Sequence, residues 1–292
     1  MASTLAGVRG GGLLGIALLA TWTGPVVATL TRAGVAHQRV GEVIVACAAG
    51  GAMTGVVVLA VGVAGSPTPL SGRLLLLGLL VVLLLVVGGV LVGAEHVARV
   101  RLLVTRLADT SAQIRIRLTV LLVAGAALAA FALGFEAVLG AFLAGVLLRT
   151  LDPEPEISHP SYPVKLEAIG FGLLIPIFFI TSGITLDIPG LAHDPRALIG
   201  VPLLSIGLLV VRGLPMVSLR QELPGRQLRG AALLQATSLP FLLTVAQIGV
   251  RTGLLERTTA AALILTGIIS VLFFPPLALR LLKSDHGAGT GN

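Results

Sequence analysis

The sequence predicts an all-α integral membrane protein of about nine transmembrane helices, with a single membrane domain over residues 1–292. Three observations carry that prediction. Hydrophobic residues make up 55% of the chain and charged residues only 11%, where a soluble globular domain carries about a quarter charged. The apolar residues fall into runs long enough to cross a bilayer, which takes about 20 residues of helix. Two distant runs also read alike, LLATWTGPVVATLTRAGV at 18–35 and LLQATSLPFLLTVAQIGV at 233–250, each placing hydroxyls and a proline near mid-membrane.

Nine spans follow in order, at 11–32, 42–64, 73–95, 117–133, 136–151, 166–187, 197–218, 230–250 and 258–282. The transmembrane core is therefore about 11–282, and 283–292 form a short tail. The fourth and fifth runs are too long together for one crossing, and Gly134 offers a turn, so the pair reads as a tight hairpin with Glu136 at its tip. Arg9 followed by GLLGIALLA also has the form of a cleavable signal peptide. Cleavage near residue 28 would remove the segment that matches the eighth span, so the run is kept as the first span.

Lys and Arg sort by side. Loops after odd spans, with the C-terminal tail, hold fourteen; the N-terminus and loops after even spans hold five; Arg212 lies inside a span. The positive-inside rule makes the richer side cytoplasmic, led by Arg99, Arg101, Arg106, Arg115 and Arg117. The expectation is a multi-pass cell-membrane protein with a cytoplasmic C-terminus and an extracytoplasmic N-terminus.

Composition and motif exclude several functions. The pI of 11.1 comes from short Arg clusters between apolar runs, without the basic stripe and interleaved aromatics of a nucleic-acid binder. Cys47 is the one cysteine, so no intrachain disulfide forms, and the five histidines lack ligand spacing. Nothing resembles a nucleophile triad, a metal cluster or a phosphate loop. The chain reads as no enzyme, with no cofactor and no metal.

The two similar runs are the first and eighth spans, separated by an odd number of crossings, so they traverse the bilayer in opposite directions. Aligned without gaps they share Leu18 with Leu233, Leu19 with Leu234, Pro25 with Pro240, Thr29 with Thr244, Gly34 with Gly249 and Val35 with Val250. A proline deletes a helical hydrogen bond and frees a carbonyl that lipid cannot satisfy, so such breaks persist where protein or a water-lined cavity surrounds them. Paired breaks in inverted segments point to a transporter site. Two ordinary proline kinks are the plainer alternative.

Further motifs fall in a recognisable order: GFEAVLGAFLAGVLL at 134–148, IPIFFITSGITLDI at 175–188 and LLQATSLPF at 233–241. With these the chain resembles the monovalent cation:proton antiporter-2 family, the sodium/proton antiporter-like membrane domain, from about residue 13 to 282. The resemblance implies an antiporter-type fold with two crossing discontinuous helices, and proton-coupled exchange of a monovalent cation, Na⁺ or K⁺, by alternating access. Known members have about thirteen helices, so four N-terminal helices look missing. The implied partners are the lipid bilayer, a monovalent cation and protons, with a homodimer left open.

The same resemblance assigns the site. Thr21 and Thr23 stand at the first break, where Trp22 is a departure from the family's Thr-Ser, and Thr237 and Ser238 at the second. The family's intramembrane aspartates fall at Gly51 and Ala52, so the expected acid is lost. Glu42, about nine residues earlier on the second span, reads as a solvated helix-start glutamate. Arg212 falls where the family carries a basic residue, and an intramembrane ion is a functional-site hypothesis by default. Its alternative is snorkelling to the cytoplasmic interface. Without the acid the crossing is net positive, which leaves open a non-transporting protein or a carrier of an anionic or neutral solute. Gly140, Ala141, Ala144 and Gly145 read as a packing face, and Thr181 and Ser182 either as hydroxyls that line a pathway or, more plainly, as ones that back-bond within their helix. Asp152, Glu154, Glu156, His159 and Lys165 read as a solvated linker.

Overall fold

The computed structural model describes residues 2–63, 70–96, 114–151, 161–184, 186–223 and 225–283. Twelve helices are found among them, and no strand. They are α1 (Ala2–Ala17), α2 (Thr23–Ala33), α3 (Arg39–Val63), α4 (Leu70–His96), α5 (Ile114–Ala132), α6 (Ala137–Leu151), α7 (Ser161–Ile184), α8 (Ile188–His193), α9 (Pro195–Leu219), α10 (Gly225–Gln235), α11 (Leu239–Arg251) and α12 (Arg257–Lys283). Helices α7 and α9 each contain a single wide π turn, at Gly170–Leu174 and Leu209–Gly213. The last stretch of α9, Leu214–Leu219, is wound tightly as 3-10 helix. The basic connection with Arg99, Arg101 and Arg106, the acids Asp152, Glu154 and Glu156 with His159, and the tail from 284 lie outside the described residues.

Among the described residues, seven stretches are long and apolar enough to cross a membrane, and the apolar α6 is shorter. The first expected span is divided between α1 and α2, and the eighth between α10 and α11. Boundaries agree with the expected spans to a few residues, except where helices begin in polar sequence. SYPVKLE opens α7 and GRQLR opens α10, and a hydropathy window passes over both because the first turns carry charge.

The chain divides into two compact units, residues 1–59 with 185–292, and residues 60–184. In the first unit, α12 is the central element, packed by α2, α8, α9, α10 and α11. One core of this unit joins Val26 and Leu30 of α2, Ile44 and Ala48 of α3, Met216 of α9, Leu234 of α10 and Ala278 of α12. A smaller core brings Leu191 of α8 and Val201 of α9 against Ala261 and Ala262 of α12.

The second unit is built on the α5–α6 hairpin expected from the sequence. Gly134 takes φ +83°, and Phe135 N–H donates to the Ala130 carbonyl at 2.9 Å while Gly134 N–H donates to Phe131. This left-handed cap satisfies the last carbonyls of α5 and reverses the chain. Gly140 of α6 lies so close to α5 that a Cβ there would stand 2.0 Å from the Ala126 carbonyl oxygen. Gly140 and Ala144 are buried, as a packing face requires, whereas Gly145 is exposed and Ala141 half-buried. On α4, Leu75, Leu85, Val86 and Val90 are exposed, which leaves this membrane-length helix with an uncovered apolar face. Thr181 donates to the Ile177 carbonyl at 2.9 Å, so that hydroxyl is consumed within α7, while Ser182 is buried.

Candidate functional site at the helix crossing

Both similar runs are broken, and the breaks lie just before the prolines. After Ala17 the chain leaves the helix, with Leu18 and Leu19 N–H donating to Gly15 and Ile16 in a last tight turn. It re-enters a helix only at Thr23, behind an extended Trp22 at φ −87°, ψ 109°. In the other run α10 ends at Gln235 and α11 starts at Leu239, behind Ser238 at φ −155°, ψ 71°. Pro25 and Pro240 therefore sit in the first turn of the second half-helix, where the missing N–H costs nothing. The sequence suggests that the prolines break the helices; the structure shows them starting α2 and α11 instead.

The two breaks are bonded to each other. Trp22 N–H donates to the Thr237 carbonyl at 2.8 Å, and the Thr21 hydroxyl donates to the Gln235 carbonyl at 2.6 Å. Carbonyls released by unwinding are thus satisfied by the opposite break, as protein-buried irregular backbone at membrane depth requires. The likeness extends to side chains. Thr29 Oγ1 donates to Pro25 O at 2.7 Å and Thr244 Oγ1 to Pro240 O at 2.9 Å, so the shared Pro-x-x-x-Thr spacing makes the same bond twice. It fails at the shared glycine. Gly34 ends α2 at φ +73°, but its sequence partner Gly249 stays inside α11, and Gly253 at φ +68° ends that helix.

Arg212, in the π turn of α9, reaches into this crossing. Its Nε donates to Thr21 Oγ1 at 2.9 Å, its Nη2 donates to the same oxygen, and Nη2 also lies 3.4 Å from Gln235 Oε1. Gln235 is 1% exposed and is itself fixed, because Nε2 donates to the Ile44 carbonyl of α3 at 2.8 Å. A π turn adds a residue to one helical turn, which rotates the following side chains, and such turns recur at functional sites. Among the described residues Arg212 pairs with no carboxylate. Its charge faces the end of α10, whose last carbonyls carry partial negative charge.

Helix α3 meets the crossing through two glycines one turn apart. A Cβ on Gly51 would stand 1.7 Å from Arg212 Nη2, and one on Gly55 2.6 Å from the Cβ of Ala20 in the first break. The position that resemblance assigned to the lost acid therefore touches the guanidinium directly. Ala52 is half-buried beside it, and Glu42 is exposed in the first turn of α3, as a solvated helix-start residue should be.

Of the expected site residues, Thr21, Arg212 and Gly51 come into direct contact. Thr237 and Ser238 line the second break, both 0% exposed. Thr237 Oγ1 back-bonds to Leu233 at 3.3 Å, and Ser238 Oγ has no hydrogen-bond partner among the described residues. Thr23 opens α2, half-buried, and is not among the groups bonded to Arg212. The sequence reading passed over Gln235, although an amide in an apolar run immediately before a break is itself a signal. It also passed over Ser270 of α12, whose hydroxyl accepts from Ser238 N–H at 3.2 Å.

Residues 3–280 match the family model for the transmembrane sodium/hydrogen exchanger. The chain belongs to the sodium/hydrogen exchanger family. Among relatives of this exchanger-family chain, YjbQ of Bacillus subtilis, named as a candidate Na(+)/H(+) antiporter, is 31% identical over 265 residues, 90% of this chain and 41% of YjbQ. The glutathione-regulated potassium-efflux system protein KefC of Salmonella schwarzengrund is 29% identical over 157 residues, 53% of this chain and 24% of KefC. KefC of an Enterobacter species is 28% identical over 155 residues, 52% of this chain and 24% of its own length. The chain thus spans well under half the length of the relatives it matches. The resemblance to the cation:proton antiporter-2 family is borne out, and the exchanger-family relatives bear the names of transporters.

Proposed function

We propose that this chain forms the crossed-helix core of an alternating-access membrane carrier whose inherited activity is proton-coupled exchange of a monovalent cation, Na⁺ or K⁺. The observation that carries this reading is the bonding of two helix breaks to each other, Trp22 to Thr237 and Thr21 to Gln235. Such discontinuous pairs bind ions in secondary transporters because half-helix ends present partial charge without a full ion. The relatives' names, sodium in one case and potassium in the other, supply the substrate class and leave the choice between the two ions to experiment.

A second reading is favoured by one contact, Gly51 against Arg212. Antiport requires one group that either a proton or a cation occupies, and a buried carboxylate does this because protonation removes the charge that attracts the cation. Where such an acid would stand, this chain has a glycine and an always-charged guanidinium. As given, the chain then exchanges little cation, either as a non-transporting member or as a carrier of an anionic or neutral solute. The purified chain on a solid-supported membrane distinguishes these. A charge displacement on a Na⁺ or K⁺ jump supports exchange, one on a chloride jump alone supports an anion carrier, and silence to all three supports the non-transporting form or a neutral-solute carrier. Small cation currents are expected.

A further inference from the structure

The crossing presents oriented oxygen acceptors to a cation, and the chain's own side chain takes them. The proton of Thr21 Oγ1 is committed to the Gln235 carbonyl at 2.6 Å, which turns its lone pairs toward Nε and Nη2 of Arg212. Gln235 Nε2 is committed to the Ile44 carbonyl at 2.8 Å, which turns Oε1 toward Nη2. Each acceptor is thus aimed by a bond made elsewhere. The remaining wall is backbone. A Cβ on Gly51 would stand 1.7 Å from Nη2, 2.5 Å from Cζ and 2.8 Å from Nη1, so the whole fork lies against α3, and a side chain at 51 would have to push it aside. The C-terminal end of α10 supplies the compensating negative potential that a carboxylate would otherwise provide.

We infer that the Arg212 guanidinium is a tethered occupant of a guanidinium-class receptor formed by Thr21, Gln235 and Gly51. The receptor does not depend on the carrier reading above. Removing the tether should leave a receptor that a free guanidinium ion fills, because its planar donors match the two aimed acceptors, whereas a quaternary ammonium has no N–H to donate and two neutral oxygens are too few to replace the hydration of Na⁺.

The test is thermal unfolding of the full chain in lipid nanodiscs, wild type against Arg212→Ala, with about 10 mM guanidinium chloride, sodium chloride or tetramethylammonium chloride. Guanidinium is expected to raise the midpoint of Arg212→Ala by a few degrees and to leave the wild type unmoved, with the other salts moving neither. A folded Arg212→Ala that shows no guanidinium-specific shift would overturn the inference. Should that variant fail to fold, Gly51→Ala and Gly50→Ala decide in the otherwise intact chain. A Cβ at Gly50 has nothing within 4 Å, so Gly50→Ala should hold or raise the midpoint while Gly51→Ala lowers it. Equal behaviour of the two overturns the receptor. These midpoints do not depend on transport, so an absence of cation exchange in vesicles would bear on the carrier reading alone.

Discussion

Arg212 Nε donates to the hydroxyl of Thr21 at 2.9 Å, across 191 positions of sequence. That bond joins the π turn of α9 to the break between α1 and α2. Its loss should cost more than a neutral hydrogen bond, because a charged donor is left with one acceptor fewer in a low-dielectric interior. Thr21→Val is expected to destabilise the chain by about 1–3 kcal/mol and Thr21→Ser to retain most of the stability, read as thermal midpoints in nanodiscs.

Gln235 carries two duties, donating to Ile44 and accepting from Arg212. Gln235→Leu keeps the volume and removes both, leaving the Ile44 carbonyl and the guanidinium short of partners. Combined with Thr21→Val it should be non-additive by about 0.5–3 kcal/mol, since both residues serve one guanidinium. Strict additivity in that double-mutant cycle would separate them.

The fold was largely legible because nine apolar runs and a charge asymmetry are coarse signals, and Gly134 and Glu136 marked the hairpin correctly. The site was legible in part. Thr21, Arg212 and Gly51 were assigned by position in a family pattern, and the structure brings them into contact. Gln235 was missed because an uncharged amide carries no hydropathy or charge signal strong enough to stand out beside Thr237 and Ser238. The prolines were misjudged in position, since a proline that begins a helix and one that interrupts it look alike in sequence. Gly249 was a coincidence of register, because identity along a chain does not reveal which glycine has positive φ.

Gly34 ends α2 with φ +73° and nothing within 4 Å of a built Cβ. A Gly34→Ala substitution therefore meets no steric obstacle and pays only for left-handed backbone, about 1 kcal/mol. Gly249→Ala, in helical backbone but with Leu255 Cδ1 2.4 Å from its built Cβ, fails for packing instead. The two should differ in a compensating variant: Leu255→Ala rescues Gly249→Ala and leaves Gly34→Ala unchanged.

The sidedness read from Lys and Arg is open to direct labelling. In a chain with Cys47→Ser, Arg220→Cys lies in the turn between α9 and α10, and Glu256→Cys in the turn between α11 and α12. A membrane-impermeant maleimide applied to whole cells should label Glu256→Cys, and should label Arg220→Cys only after permeabilisation. The reverse pattern would invert the topology.

The most direct measurement is relaxation of a pH gradient in vesicles containing the purified chain, on addition of Na⁺ or K⁺, for the wild type, Gly51→Asp and Ala52→Asp. With Arg212 held against Gly51 and, among the described residues, no carboxylate bonded to it, wild-type relaxation should stay near the leak of empty vesicles. An acid restored beside the guanidinium, at one of these two positions, should produce cation-dependent proton movement. Robust Na⁺- or K⁺-dependent exchange by the wild type would contradict the occupied, acid-free crossing.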